Sequence, residues 1–192
     1  MPRSAACFVL ALACLGGCVF QPRRPPQTLP RTIEPQLLEP NKQEESAPNA
    51  APLRLLDTQA RGHISRRLLH QEPNGELTED PVWQWSSAPD RYLDTALHFE
   101  MSSNPRVRLV DAGSVPTLGA TLLVWDLESK GEKQLVGAVE FQFTGTDRVV
   151  HTQVIRASEP VSAELPGNLA SAAGSLLRRL ASEGVTRTVP QR

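Results

Sequence analysis

The side chain with the clearest chemistry in this chain of 192 residues is the Cys18 thiol. It closes the stretch Leu15-Gly16-Gly17-Cys18, behind an apolar run from Ala5 to Cys14 and one early positive charge, Arg3. A charged start, an apolar stretch of about ten residues and small residues at its end form the pattern of a cleavable secretory signal. The run is too short for a membrane span, which takes about 20 residues. No Ala-x-Ala site stands where an ordinary signal would be cut. Cys7 and Cys14 fall inside the run, so cleavage before Cys18 leaves one cysteine. A lone thiol excludes an internal disulfide, a dithiol redox centre and a cysteine metal cage.

Other reactive side chains form no recognisable constellation. There is no Gly-x-Ser-x-Gly elbow to sharpen a serine nucleophile, and no Gly-x-x-x-x-Gly-Lys loop to cradle phosphates. The four histidines are scattered. His63 and His70 are seven apart, on opposite faces if one strand carries both; His98 falls on a helix and His151 on a later strand. Asp57, Asp111 and Asp147 stand at strand ends or turns, where Asp serves backbone hydrogen bonding. Asp126 falls within a strand and is expected to face solvent. A catalytic role, a metal and a cofactor are therefore not expected. Trp83 and Trp85 share one face of an extended segment. Trp85 is expected in the core, where it can cover the first turn of the next helix. Trp83, with Tyr92 on that helix, is the candidate partner or ligand surface.

The elements that would hold these side chains begin after a proline-punctuated stretch. Prolines 22, 25, 26, 30, 35, 40, 48 and 52 break residues 20–52, and few apolar residues lie between them. This composition predicts a disordered, partly polyproline tether over 18–52. Such a tether could reach about 105 Å as polyproline. Strands are predicted at 53–56 and 64–70, a turn at 71–75 and an extended piece at 81–85. Ser87 is the predicted N-cap of a helix over 90–101, with Tyr92, Leu93, Ala96, Leu97 and Met101 as its apolar stripe. Four strands follow, at 106–110, 118–128, 135–144 and 149–158, the last three spaced as an antiparallel meander. The second of the four should show Leu123, Trp125 and Leu127 on one face. A closing helix over 168–182 buries Leu169, Ala172, Ala173, Leu176 and Leu180, with Gly184 as its stop. The pattern predicts an α/β (α+β) fold: a two-layer sandwich, mostly antiparallel, with two helices on one face of the sheet. Its domain spans 53–184, with a tail at 185–192.

Without residues 1–17 the chain has 175 residues, 19 basic and 21 acidic side chains, and a net charge of −2. That balance speaks against nucleic-acid binding, which needs a concentrated basic surface.

Leu15 to Cys18 resembles the lipobox of bacterial lipoproteins. The resemblance implies cleavage between Gly17 and Cys18, small side chains at 16 and 17 to fit the peptidase, and diacylglycerol transfer to the Cys18 thiol. More broadly, the chain resembles the ABC-type transport auxiliary lipoproteins (the PqiC-like family), accessory to Mce-type lipid transport in Gram-negative envelopes. The residues carrying this likeness are the lipobox, the strand at 64–70, Trp85-Ser86-Ser87-Ala88-Pro89 leading into its helix, and the Ala- and Leu-rich closing helix after Pro160-Val161. The chain departs from the family at Arg67-Leu68-Leu69-His70, where a tyrosine-arginine pair is usual, and in the length of its proline-rich stretch. The resemblance implies a non-enzymatic module anchored by lipid on Cys18, docking on Mce-type or permease subunits, with self-association also open. Val19 rather than Asp after the cysteine implies the outer membrane, facing the periplasm. A structural or envelope-assembly lipoprotein binding peptidoglycan or an outer-membrane barrel is the alternative.

Overall fold

The computed structural model describes residues 29–37, 49–129, 131–162 and 166–188. In chain order the elements are β1 (Arg31–Ile33), β2 (Ala51–Leu55), β3 (Gln59–Ala60), β4 (Arg67–Gln71), β5 (Leu77–Trp85), α1 (Pro89–Ser102), β6 (Val107–Leu109), β7 (Thr117–Glu128), β8 (Gln134–Thr144), β9 (Val150–Pro160) and α2 (Gly167–Thr188). They form a two-layer α+β sandwich. The helices pack on each other and on the sheet, α2 across β8 and β9, and α1 against β3, β6 and β7.

The long strand β7 is the seam of the sheet. One edge pairs antiparallel with β8 along its whole length, and β8 pairs antiparallel with β9. Its other edge is shared in succession by β2, β3 and β4, all parallel to it. From β4 the sheet continues antiparallel to β5, and β6 adds in parallel to β2. The β4–β5 hairpin turns through Glu72 to Gly75, and Gly75 adopts φ +87°, which glycine accepts without strain.

Four sequence expectations are corrected here. The register of β7 shifts between Leu122 and Val124. This irregularity swaps the inward positions from Leu118, Ala120 and Leu122 to Trp125 and Leu127, so Leu123 is only half-buried. Ser87 does not cap α1. The N-cap is Ala88, with no side-chain cap, and the Ser87 amide instead donates to the Tyr92 hydroxyl at 2.6 Å. Gly184 does not stop α2, which runs on to Thr188 and absorbs the start of the expected tail. Gly184 is buried where the helix meets the Phe141 ring: a Cβ there would lie 2.7 Å from Cε1 and closer still to Cζ.

The fourth correction concerns the tether. Residues 18–28 and 38–48 lie outside the described residues, but 31–33 form a strand rather than a disordered leash. β1 adds in parallel to β5, with Arg31 opposite Trp83 and Ile33 opposite Trp85. Ile33 is 2% exposed and joins the main core. Burying such a side chain contributes about 1.5–3 kcal/mol, which together with the β5 ladder offsets part of the cost of ordering the segment, about 1–2 kcal/mol per residue. Residues 31–33 therefore belong to the folded body. Arg31 stands 13 positions after Cys18, a separation that can reach at most about 45 Å, less than half the span expected to residue 52.

Candidate functional site

The edge formed by β1, β5 and β4 gathers the surface side chains with the most specific contacts. Trp83 of β5 is half-buried and packs against the core margin. The Arg31 guanidinium carbon lies 5.6 Å from its ring centroid. At an exposed position such a cation–π contact contributes about 0.5–1 kcal/mol. Beside the ring opens a groove of about 390 Å³ lined by Pro30, Arg67, Glu79, Asp80, Pro81 and Gln84. Arg67 and Glu79 form an exposed ion pair across it, of the kind that contributes about 0–1 kcal/mol.

Asp80 fixes the conformation of this edge. Its Oδ1 accepts the amides of Val82 at 2.8 Å and Trp83 at 2.7 Å, and its Oδ2 meets His70 Nε2 at 2.8 Å. Burial acts to raise the Asp80 pKa. The hydrogen bonds from the Trp83 amide, His70 and the Val82 amide, with the charge of His70, outweigh it and hold the carboxyl below its ordinary value. The pairing of His70 with Asp80 depends on the β4–β5 register, which shifts between Arg67 and Leu69. No local sequence signal announces it.

Tyr92, expected as part of a partner surface, is instead 5% exposed. Its hydroxyl contacts Ser86 Oγ at 2.5 Å, accepts the Ser87 amide and donates to Glu34 Oε2 at 3.2 Å. The phenol thus ties the first turn of α1 to the end of β5 and to the N-terminal segment. Trp85 is fully buried, its ring 5.7 Å from that of Trp125 and tilted by 56°. Trp83 therefore faces the groove without Tyr92.

Asp126, expected to face solvent, is 4% exposed, and its Oδ1 has no hydrogen-bond partner among the described residues. Burial is the main cause that raises its pKa, with Glu128 adding to it, while His63, the Trp125 amide and Arg156 oppose. His63 and His151 are exposed, as are Asp57, Asp111 and Asp147, and His98 lies 3.8 Å from Asp94 on the surface of α1. Among the described residues no three His, Cys, Asp or Glu side chains stand together as a metal site. No described helix is long and apolar enough to cross a membrane. Gly17 and Cys18 lie outside the described residues.

The arrangement defines a small α+β sandwich whose N-terminal segment is built into one sheet edge beside an aromatic groove. No family model matches the chain, and no curated protein matches it in sequence. Solved structures share the fold. Protein XCC0632 from Xanthomonas campestris, of family DUF330, superposes with a TM-score of 0.66 at 17% identity, over 81% of this chain and 94% of that one. The hypothetical protein CT253 from Chlamydia trachomatis superposes with a TM-score of 0.54 at 12% identity, over 72% of this chain and 95% of that one.

Proposed function

We propose that this chain is a lipid-anchored envelope protein. It acts as a non-enzymatic docking module of an ABC-type, Mce-associated lipid transport assembly, held at the outer membrane and facing the periplasm. The observation that carries the reading is the placement of Leu15-Gly16-Gly17-Cys18 only 13 residues ahead of a strand built into the fold. An acylated Cys18 would hold the body within about 45 Å of its bilayer. The Trp83 groove lies at the edge where the N-terminal segment joins, and is the docking surface in this reading. Its half-buried Trp83 ring and Arg67 are of the residue types enriched among the anchors of protein interfaces.

The test has two arms. Cys18→Ser should move the natively expressed protein from the membrane to the soluble fraction and remove the mass of the acyl chains. Retention of the mutant in the membrane would sink the anchor. A photo-crosslinker at Gln84 should capture an Mce-type or permease subunit; capture of peptidoglycan-bound or barrel proteins alone would replace the transport role with an envelope-assembly one.

A further inference from the structure

The contacts of the N-terminal segment are richer than a three-residue strand requires. The Ile33 carbonyl accepts the Ser86 amide at 2.9 Å, prolonging the ladder with β5, and the Ile33 side chain is enclosed by the core. Glu34 accepts the Tyr92 hydroxyl from α1. Past Pro35 the backbone crosses α2, where the Gln36 amide donates to the Ala170 carbonyl at 3.0 Å. That crossing is possible because residue 174 is glycine: a Cβ there would lie 2.7 Å from the Gln36 carbonyl carbon and overlap its oxygen. Gly174 thus notches the helix to admit another backbone. Leu37 packs on the core margin beyond it. A strand edge, an apolar pocket, a phenol that receives a carboxylate and a glycine notch therefore converge from β5, the core, α1 and α2. Main-chain pairing joined to side-chain pockets is how proteins recognise extended peptides by strand addition.

We infer that the channel between β5 and the N-terminal half of α2 is a binding groove for an extended peptide. The ligand pattern is a β-branched anchor followed by Glu-Pro-Gln, and this chain fills the groove in cis with residues 31–37. The site adjoins the Trp83 groove, since Arg31 of the filling segment lies over the Trp83 ring, and its occupancy joins the N-terminal anchor region to the folded body. Another segment of the same pattern enters only when residues 31–37 leave.

The full chain tests this with a fluorescent peptide spanning residues 29–37. Ile33→Asp evicts the cis segment, so the peptide should bind this variant saturably at one per chain. Wild type should bind at least about tenfold more weakly, because its own segment competes at an effective concentration on the order of millimolar. Adding Gly174→Ala should abolish binding. Equal binding to all three chains, or no binding to an Ile33→Asp chain whose β8 amides stay protected from hydrogen exchange, overturns the inference. Gly174→Ala alone supplies a second readout, since alanine favours helix by about 1 kcal/mol over glycine and α2 should persist. Residues 31–37 should lose exchange protection while β8 keeps it; unchanged protection at 31–37 refutes the notch. Exchange of the segment between differently labelled wild-type chains, with a concentration-dependent dimer, would refute filling in cis.

Discussion

Gly184→Ala sets two effects against each other at one buried position. Within a helix, alanine is favoured over glycine by about 1 kcal/mol, so propensity alone makes the change stabilising. The added methyl, however, would meet the ring of Phe141, which is fully buried on β8 and cannot swing into solvent. Overpacking of this kind costs about 1–3 kcal/mol. Three ring carbons lie within reach of the new methyl, which puts the cost near the upper end. The net expectation is a loss of about 2 kcal/mol, or a melting temperature lower by about 4–8 °C for a chain of this size. Urea unfolding followed by tryptophan fluorescence measures it. Pairing the change with Phe141→Leu should recover part of the loss, because the two side chains compete for one space. A stabilised Gly184→Ala protein, or strict additivity with Phe141→Leu, would refute the packing argument.

Tyr92→Phe removes the acceptor of the Ser87 amide and the donor to Glu34, and should cost about 1–3 kcal/mol in chemical denaturation; a neutral substitution would mean that water replaces the hydroxyl freely. Leu122→Ala should cost about 2–5 kcal/mol while Leu123→Ala costs well under half of that, since the register shift sends only Leu122 fully inward; equal losses would argue against the shift. The two perturbed carboxylates predict opposite pH dependences. Asp80 titrates below its ordinary 3.8 in the folded protein, so its stabilisation is present above that pH and disappears as pH falls through the folded value. Asp80→Asn should therefore flatten acid unfolding. Asp126 titrates above 3.8, so stability declines as pH rises from there through the folded value. Asp126→Asn should remove that decline and leave the protein more stable at neutral pH relative to acid; a lower stability for this variant at pH 7 would contradict the burial argument.

The elements most legible in the sequence were those whose pattern is local. The apolar stripe of α1 and that of α2 as far as Leu180 are buried as their spacing predicts, and the β7–β8–β9 meander follows from alternation and turns. What escaped depends on contacts distant in the chain. Gly184 reads as a helix stop because its partner, Phe141, is far away in sequence, and the notch that Gly174 offers to Gln36 has no local sign for the same reason. The 31–37 segment reads as tether because its proline content hides the single isoleucine that seats it. Asp126 follows the alternation of a solvent-facing position, yet that face of the sheet is also covered there. At the candidate site, Trp83 and Trp85 could be named from spacing, whereas Arg31 over the ring and the His70–Asp80 pair arise only from strand register.

The seam strand β7 divides the fold into halves with different cooperativity. On one side it meets β8 along its whole length, with a single register shift at Leu123. On the other, β2, β3 and β4 each hold it by two residue pairs. Breaking one of those three footholds leaves the other two in place. Local opening should therefore proceed piecemeal between residues 51 and 71 while the meander persists as one unit. Length changes in the links between footholds are the alterations this architecture should absorb most readily.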